Sequence, residues 1–142
     1  MILPDLNLLV YAYNSEALAH RPAKEWWESC LSSHRPVGLP WVVIVGYLRL
    51  MTSRHVCEDP CTAADALEHI RSWLERPNVE ILNPGRRHLD LMEHLIRESQ
   101  APGHLSTDVH LAALAIEYRA ELHSNDSDFA RFSGLKWVNP LA

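Results

Sequence analysis

Long apolar runs are missing from this chain of 142 residues. No window offers the about 18 uninterrupted apolar residues that a membrane-spanning helix needs. The opening segment, residues 1–13, has no basic region and carries Asp5 and Asn7 within its apolar stretch, unlike a secretion signal. We therefore expect a cytoplasmic protein that is neither secreted nor inserted into a membrane.

Cysteine is scarce. The three cysteines, Cys30, Cys57 and Cys61, are an odd number. Cys57 and Cys61 are the only two cysteines close together in sequence. No second cysteine pair, and no cysteine–histidine pair, has the spacing that zinc ligands need. The sequence therefore predicts free thiols in a reducing compartment, and no zinc site.

A basic surplus is also missing, because the net charge is −5. This charge argues against a protein that binds polyanions regardless of their sequence. It leaves room for a site at which bound divalent cations reverse the local field. Arginines make up all but two of the 13 basic residues, which suits forked phosphate contacts and ordinary surface ion pairs equally well.

Short apolar segments alternate with helical patterns along the whole chain, with no internal repeat or long linker. The predicted strands are residues 1–3, 37–39, 79–82, 121–124 and 135–138. The predicted helices are residues 7–13, 20–31, 41–51, 63–75, 86–98 and 107–118. Thr62 is the expected N-cap of the fourth helix, and the helix at 41–51 is apolar enough to be buried nearly all round.

Strands separated by helices predict an α/β fold with three layers, α/β/α, around a central parallel sheet of four to five strands. The hydrophobic content of 47% and the length of 142 residues suit a single domain over residues 1–142.

Four aspartates stand out in this pattern: Asp5 and Asp126 each follow a predicted strand, Asp128 lies close behind, and Asp108 begins a predicted helix. In open parallel sheets the ligand crevice lies beyond the carboxyl ends of the strands. Two carboxylates at about 4 Å oppose each other by roughly 4 kcal/mol, so a cluster of them indicates a bound cation or a shared proton. Helix-dipole compensation by Asp108 and turn formation by Asp126 and Asp128 are the simpler alternatives.

Four segments in order along the chain carry a resemblance to a known family. They are Met1-Ile-Leu-Pro-Asp-Leu-Asn-Leu-Leu-Val-Tyr-Ala, Gly38-Leu-Pro-Trp-Val-Val-Ile-Val-Gly-Tyr-Leu-Arg, Thr107-Asp-Val-His-Leu-Ala-Ala-Leu-Ala-Ile-Glu and Ser124-Asn-Asp-Ser-Asp-Phe-Ala-Arg-Phe. Together with the closing Gly134-Leu-Lys-Trp, they resemble the PIN-domain ribonucleases and, among these, the VapC toxins of bacterial toxin–antitoxin pairs.

The resemblance implies a PIN-like fold and a metal-dependent endoribonuclease that hydrolyses RNA phosphodiester bonds with Mg²⁺, for which Mn²⁺ can substitute. It implies Asp5, Asp108 and Asp126 as the metal-binding, catalytic acids. The expected partners are a VapB-type antitoxin, an RNA substrate and a second copy of the chain in a homodimer.

The same resemblance gives supporting roles to three further residues. Asn7 matches a small polar residue that orients the first acid. Thr107 matches a hydroxyl that supports the site, with N-capping as its alternative role. Asp128 matches a frequent helper acid, while His110 is expected to pack or face solvent and not to bind metal.

One position departs from the family. The helix at 41–51 usually carries a glutamate in the site, and the matching residue here is Gly46. Magnesium often binds through only one or two carboxylates, so the loss should weaken metal binding without abolishing it. Glu16 is the nearest candidate substitute, although a solvated charge at a helix end is the better explanation for it.

Two other functions therefore stay open. One is a PIN-like module that binds an antitoxin or RNA but has little or no nuclease activity, because Gly46 replaces the usual glutamate of the site. The other is a Mg²⁺-dependent phosphatase, which is disfavoured because Asp5-Leu6-Asn7 lacks a second nearby acid for the leaving group. The sequence offers no Gly-rich phosphate loop, Gly-x-Ser-x-Gly elbow or cysteine–histidine nucleophile constellation in support of a different chemistry.

Overall fold

The computed structural model describes all residues, 1–142. Its five strands are β1 (Ile2–Pro4), β2 (Val37–Pro40), β3 (Val79–Leu82), β4 (Glu121–His123) and β5 (Lys136–Val138). Its six helices are α1 (Leu6–Tyr13), α2 (His20–Ser32), α3 (Trp41–Met51), α4 (Ala63–Leu74), α5 (His88–Ser99) and α6 (Ser106–Glu117). Every predicted element is present, with ends that differ from the sequence prediction by no more than two residues.

All five strands are parallel and form one sheet in the order β3-β2-β1-β4-β5. Successive crossovers run outward from β1 to β3, and the chain then returns to pair β4 with the other side of β1. Right-handed crossovers in the two directions place helices on both faces of the sheet. The predicted α/β/α fold with a central parallel sheet is thus confirmed.

The direction of the strand order reverses between β1 and β4. Ile2, Leu3 and Pro4 pair with Glu121, Leu122 and His123. Beyond the last pair, the Asp5 N–H donates to the His123 carbonyl at 2.8 Å and keeps the two strand ends together. Such a reversal opens a crevice at the carboxyl edge of the sheet, where ligands of open α/β sheets bind.

One hydrophobic cluster of 30 buried residues holds the layers together. Its largest fully buried side chains include Trp27, Trp73, Tyr47 and Phe129. Burying an aliphatic or aromatic side chain of this kind contributes about 1.5–3 kcal/mol, so the cluster is the main source of stability. No helix in the structure has the length and apolar character required to span a bilayer.

Local signals explain where several helices begin. The Asp5 side chain accepts a hydrogen bond from the Leu6 N–H at the start of α1. The Thr62 hydroxyl accepts one from the Asp65 N–H at the start of α4, as predicted.

The three cysteines are free thiols, as the sequence predicts. Burial raises the pKa of the Cys30 thiol to about 11.

The burial predicted for α3 is wrong on one side of the helix. Trp41 is 51% exposed, Val45 54% and Val42 37%, whereas Tyr47 on the opposite side is fully buried. Helix α3 has more hydrophobic residues than the sheet and the neighbouring helices can cover. An apolar strip of the helix therefore faces solvent.

Candidate active site

A cavity of about 260 Å³ lies at the strand reversal. The starts of α1 and α6, one side of α3 and the segment after β4 surround it. The residues that line it are Asp5, Leu6, Asn7, Val42, Val43, Arg49, Thr107, Asp108, Leu111 and Asp126. The structure thus brings together all three acids that the sequence singled out as metal-binding.

Asp5 is the most firmly held of these acids. Only 8% of the residue is exposed. One carboxylate oxygen accepts the Leu6 N–H at 2.8 Å, and the other accepts the Ser124 hydroxyl at 2.7 Å. Because β1 ends at Pro4 and α1 begins at Leu6, the backbone points this carboxylate into the crevice with little freedom to move.

Asp126 and Asp128 lie on the turn that follows β4. The Ser124 hydroxyl that donates to Asp5 also accepts the Asp126 N–H at 3.0 Å. Asp126 then caps the following 3₁₀ turn, because one of its carboxylate oxygens accepts the Asp128 N–H at 2.9 Å. The turn-forming role considered for Asp126 is therefore real, and it fixes the side chain without removing it from the cavity.

Asp108 completes the group from the first turn of α6. Asp108, Asp126 and Asp128 each present a carboxylate oxygen such that the three atoms lie within 4.8 Å of one another. Asp5 lines the same cavity but does not belong to this closest trio. An all-oxygen, all-carboxylate donor set suits hard cations such as Mg²⁺ and Mn²⁺.

The electrostatics of the cavity favour positive charge. Burial raises the pKa of Asp108 to about 6, and the charges of Asp5, Asp126 and Asp128 add to that shift. Burial also raises the pKa of Asp5, opposed by its hydrogen bonds from Ser124 and Leu6. Both shifts mean that ionising these carboxylates in the folded protein has a cost, first from burial and then from the neighbouring acids, that a bound cation would offset.

Asn7 and Thr107 line the cavity and are exposed. Neither forms a hydrogen bond with a carboxylate. The N-cap position of α6 is Leu105, with no side-chain hydrogen bond, so the alternative capping role of Thr107 is not observed. His110 turns away from the acids and pairs with His88 at 2.7 Å, in agreement with the packing role expected for it.

Two residues of the site were missed from the sequence. Ser124 is fully buried and connects Asp5 to Asp126, and Arg49 lines the cavity from the last turn of α3. Ser124 stands two residues before Asp126, at the end of a predicted strand, which was the available signal. Arg49 lies three residues after Gly46 and seven after Val42, so helical periodicity could have placed it beside them.

Gly46 lies against the start of α1. A Cβ atom at Gly46 would stand 2.5 Å from the Leu6 Cδ2, so the Leu6 side chain occupies the space into which a larger residue would project. Glu16, the suggested substitute, is exposed beyond the C-terminal end of α1, whereas Asp5 stands at its N-terminal end. It does not line the cavity.

The PIN domain family model matches residues 2–135, which is nearly the whole chain. Together with a parallel sheet that collects acids at its carboxyl edge, this match shows that the chain belongs to the PIN-domain family.

Individual relatives narrow the assignment. Ribonuclease VapC33 of Mycobacterium tuberculosis is 47% identical over 141 residues, which cover 99% of each chain. Ribonuclease VapC37 of the same species is 36% identical over 142 residues, covering 100% of this chain and 99% of that protein. Within the PIN-domain family, the chain belongs with the VapC-type proteins.

A solved structure agrees with the fold. The structure of VapBC2 from Rickettsia felis, bound to a DNA fragment from its promoter, superposes with a TM-score of 0.71 and covers 98% of each chain. Its sequence identity is 18%. The two chains thus keep the same fold although most of their residues differ.

Proposed function

We propose that this protein is the toxin of a VapBC-type toxin–antitoxin system, an endoribonuclease that hydrolyses RNA phosphodiester bonds. The observation that carries the proposal is the meeting of Asp5, Asp108 and Asp126 in one cavity at the strand reversal. Full-length relatives named ribonuclease VapC support the same activity.

Metal dependence is part of the proposal. Asp5, Asp108 and Asp126 would hold Mg²⁺ or Mn²⁺, and the short oxygen distances among Asp108, Asp126 and Asp128 favour Asp128 as a further ligand. A bound divalent cation supplies charge stabilisation at the phosphoryl oxygens and lowers the pKa of water.

Other residues of the chain hold the carboxylates in position. Ser124 holds Asp5 and the Asp126 backbone in fixed relative positions through one hydroxyl. Asn7 and Thr107, at the cavity wall, are placed to contact the substrate or water bound to it. Fixed carboxylates cost no rearrangement when charge develops on the substrate, which is the main advantage of a preorganised site.

Cleavage of total cellular RNA tests the activity. Wild-type protein with Mn²⁺ or Mg²⁺ should cut RNA at discrete positions, and EDTA should abolish cutting. Asp126→Asn should reduce the rate by at least about a hundredfold, an effect typical of removing one electrostatic component of a site. Asp90→Asn is the matched control, since Asp90 is an exposed acid in the first turn of α5.

Thermal unfolding tests the metal site separately. Mn²⁺ should raise the melting temperature by mass action, and Asp5→Asn should reduce that increase while Asp90→Asn keeps it. A wild-type protein whose melting temperature is indifferent to Mn²⁺ and Mg²⁺ would contradict the metal site. Cleavage of p-nitrophenyl phosphate in place of RNA would instead favour the phosphatase.

The binding-module alternative rests on one specific observation. Helix α3 contains no acidic residue and therefore presents no carboxylate to the cavity, and Leu6 fills the space beside Gly46. If the protein binds Mn²⁺ and an antitoxin but leaves RNA intact under all metal conditions, the binding module replaces the nuclease as its function.

The proposed partners are a VapB-type antitoxin, RNA and a second copy of the chain. The exposed apolar strip of α3, Trp41, Val42 and Val45, supports a homodimer because contiguous apolar surface of this kind marks interaction sites. The proposed location is the cytoplasm, where three free thiols stay reduced.

A further inference from the structure

Arg49 is the one basic residue among those that line the acidic cavity. Its side chain is exposed and lies within 4.0 Å of no carboxylate. Other arginines near acids do pair: Arg131 lies 3.6 Å from Asp128, and Arg35 lies 2.9 Å from Glu121. The guanidinium of Arg49 therefore keeps its donors free at the entrance to the site.

The position of Arg49 on its helix explains why it points there. Val42, Gly46 and Arg49 are spaced by four and three residues and so share one face of α3. Val42 and Arg49 both line the cavity, while Gly46 between them packs against Leu6. The face of α3 that turns to the acids thus offers a cation.

A free guanidinium beside these carboxylates has a specific use for a polyanionic substrate. The chain carries a net charge of −5, three aspartates line the cavity and Asp128 lies close to two of them, so RNA meets an unfavourable field on approach. A planar guanidinium offers donors in a fork that matches two phosphate oxygens.

We propose that Arg49 binds a backbone phosphate of the RNA substrate at the mouth of the cavity. The proposal rests on the proposed ribonuclease function and adds to it a residue that binds substrate. Arg49 touches a phosphate beside the scissile bond, so it contributes equally to substrate and transition-state binding and acts on KM.

The test compares Arg49→Gln and Arg49→Lys with Arg71→Gln. Arg71 is the matched control because it is an exposed arginine in the last turn of α4, as Arg49 is in the last turn of α3, and it does not line the cavity. Binding of a mixed-sequence single-stranded RNA oligonucleotide is measured by fluorescence anisotropy in EDTA across a KCl series. Cleavage of the same RNA is measured with Mn²⁺.

Arg49→Gln should weaken RNA binding about tenfold, the effect of losing a charged hydrogen bond. The slope of log K against log[KCl] should fall in magnitude by about 0.7, the contribution of one phosphate contact on a single strand. The KM for cleavage should rise about tenfold with kcat nearly unchanged. Arg49→Lys should keep the salt slope but recover only part of the affinity, and Arg71→Gln should match wild type.

Three results would overturn the proposal. An unchanged affinity and salt slope in Arg49→Gln would show that no phosphate is bound there. If Arg71→Gln lost as much RNA affinity as Arg49→Gln, the loss would be a general effect of removing positive charge. If Arg49→Gln keeps RNA binding and loses antitoxin binding, the partner of Arg49 is the antitoxin.

Failure of the ribonuclease proposal gives a different pattern, because wild type would then leave RNA uncut under all metal conditions. If wild type still bound RNA, the anisotropy series would test Arg49 by itself; if it bound none, the role assigned to Arg49 would be overturned as well. Melting temperatures of all variants, compared with wild type, show that any loss of binding arises in a folded protein.

Discussion

At the scale of single residues, the site depends on a serine that contributes no metal-binding charge. Ser124 is separated from Asp5 by 119 positions in sequence, yet its hydroxyl donates to Asp5 at 2.7 Å and accepts the Asp126 N–H. Both partners are held by the same oxygen, so Ser124 couples the end of β1 to the turn after β4.

Ser124→Ala should therefore act on stability and activity together. Removing the hydroxyl leaves a buried carboxylate oxygen without its donor, which costs about 1–3 kcal/mol in the free energy of unfolding. Urea unfolding measures that loss, and RNA cleavage with Mn²⁺ should fall in parallel. Ser124→Thr keeps the hydroxyl and should retain more of both.

A double-mutant cycle with Asp5→Asn identifies the partner. The effects of Ser124→Ala and Asp5→Asn should be less than additive, since the two side chains share one interaction. If the changes in unfolding free energy caused by the two substitutions were strictly additive, the coupling would be contradicted.

Asp108 should make the metal-free protein sensitive to pH. Its pKa in the folded protein is about 6, above its ordinary value of 3.8, because of burial first and the neighbouring acids second. A folded-state pKa that is raised adds stability below pH 4, and this stability is lost as the pH rises through 6. In EDTA, the protein should thus lose stability between about pH 4 and pH 6 through this group.

Asp108→Asn isolates this contribution. The melting temperature of Asp108→Asn minus that of wild type should increase over the same pH window. Since Asp108 is only half-buried, solvent screening limits the effect to about 1 kcal/mol, or roughly 2–4 °C. A difference that is flat across the window, or that decreases with pH, would contradict the raised pKa. Saturating Mn²⁺ should abolish the dependence.

At the scale of elements, strand ends were the most informative part of the sequence. Short apolar segments closed by Pro4-Asp5 and by Ser124-Asn125-Asp126 specify where strands stop, and parallel strands stop at a common edge. The meeting of Asp5 and Asp126 at that edge was therefore predictable from the strands alone. Asp108, in the first turn of α6, was assigned to the same site by the family resemblance.

The contacts of Ser124 and Leu6 were not predictable in the same way. Each depends on which neighbour another element places beside it, and local periodicity carries no such information. Likewise, the apolar residues of α3 indicate a helix that needs covering on most sides. They do not specify whether this chain or a second one covers Trp41 and Val45.

The contact between α1 and α3 decides whether the missing carboxylate can be restored. A side chain at Gly46 must displace Leu6, whose nearest atom is the far end of a flexible side chain. The double variant Leu6→Ala/Gly46→Glu removes that obstacle and should lower the Mn²⁺ concentration that gives half-maximal RNA cleavage. Leu6→Ala alone and Leu6→Ala/Gly46→Gln are the controls for packing and for charge.

The glutamate must act as a ligand for this expectation to hold. If Leu6→Ala/Gly46→Glu and its glutamine counterpart need the same Mn²⁺ concentration, the side chain at residue 46 does not reach the metal site. Gly46→Glu without the second substitution should be less stable than wild type, because overpacking of this kind costs about 1–3 kcal/mol.

At the scale of the whole molecule, the exposed strip of α3 and the cavity lie on neighbouring faces of the same helix. Val42 belongs to both, since it lines the cavity and is 37% exposed. A partner that covers Trp41 and Val45 would therefore stand beside the site and narrow the path by which RNA enters.

Val45→Glu tests whether that partner is a second copy of the chain. Wild type should be a homodimer in size-exclusion chromatography with light scattering, and a charge at the centre of the strip should shift it towards monomer. Leu67→Glu, on the exposed side of α4 with 38% exposure, is the matched control and should stay dimeric. Because Val45 is 54% exposed in the single chain, the substitution should leave the melting temperature of the monomer nearly unchanged. A wild-type protein that is monomeric at every concentration, or a Val45→Glu variant that dimerises as wild type does, would show that the strip serves another partner.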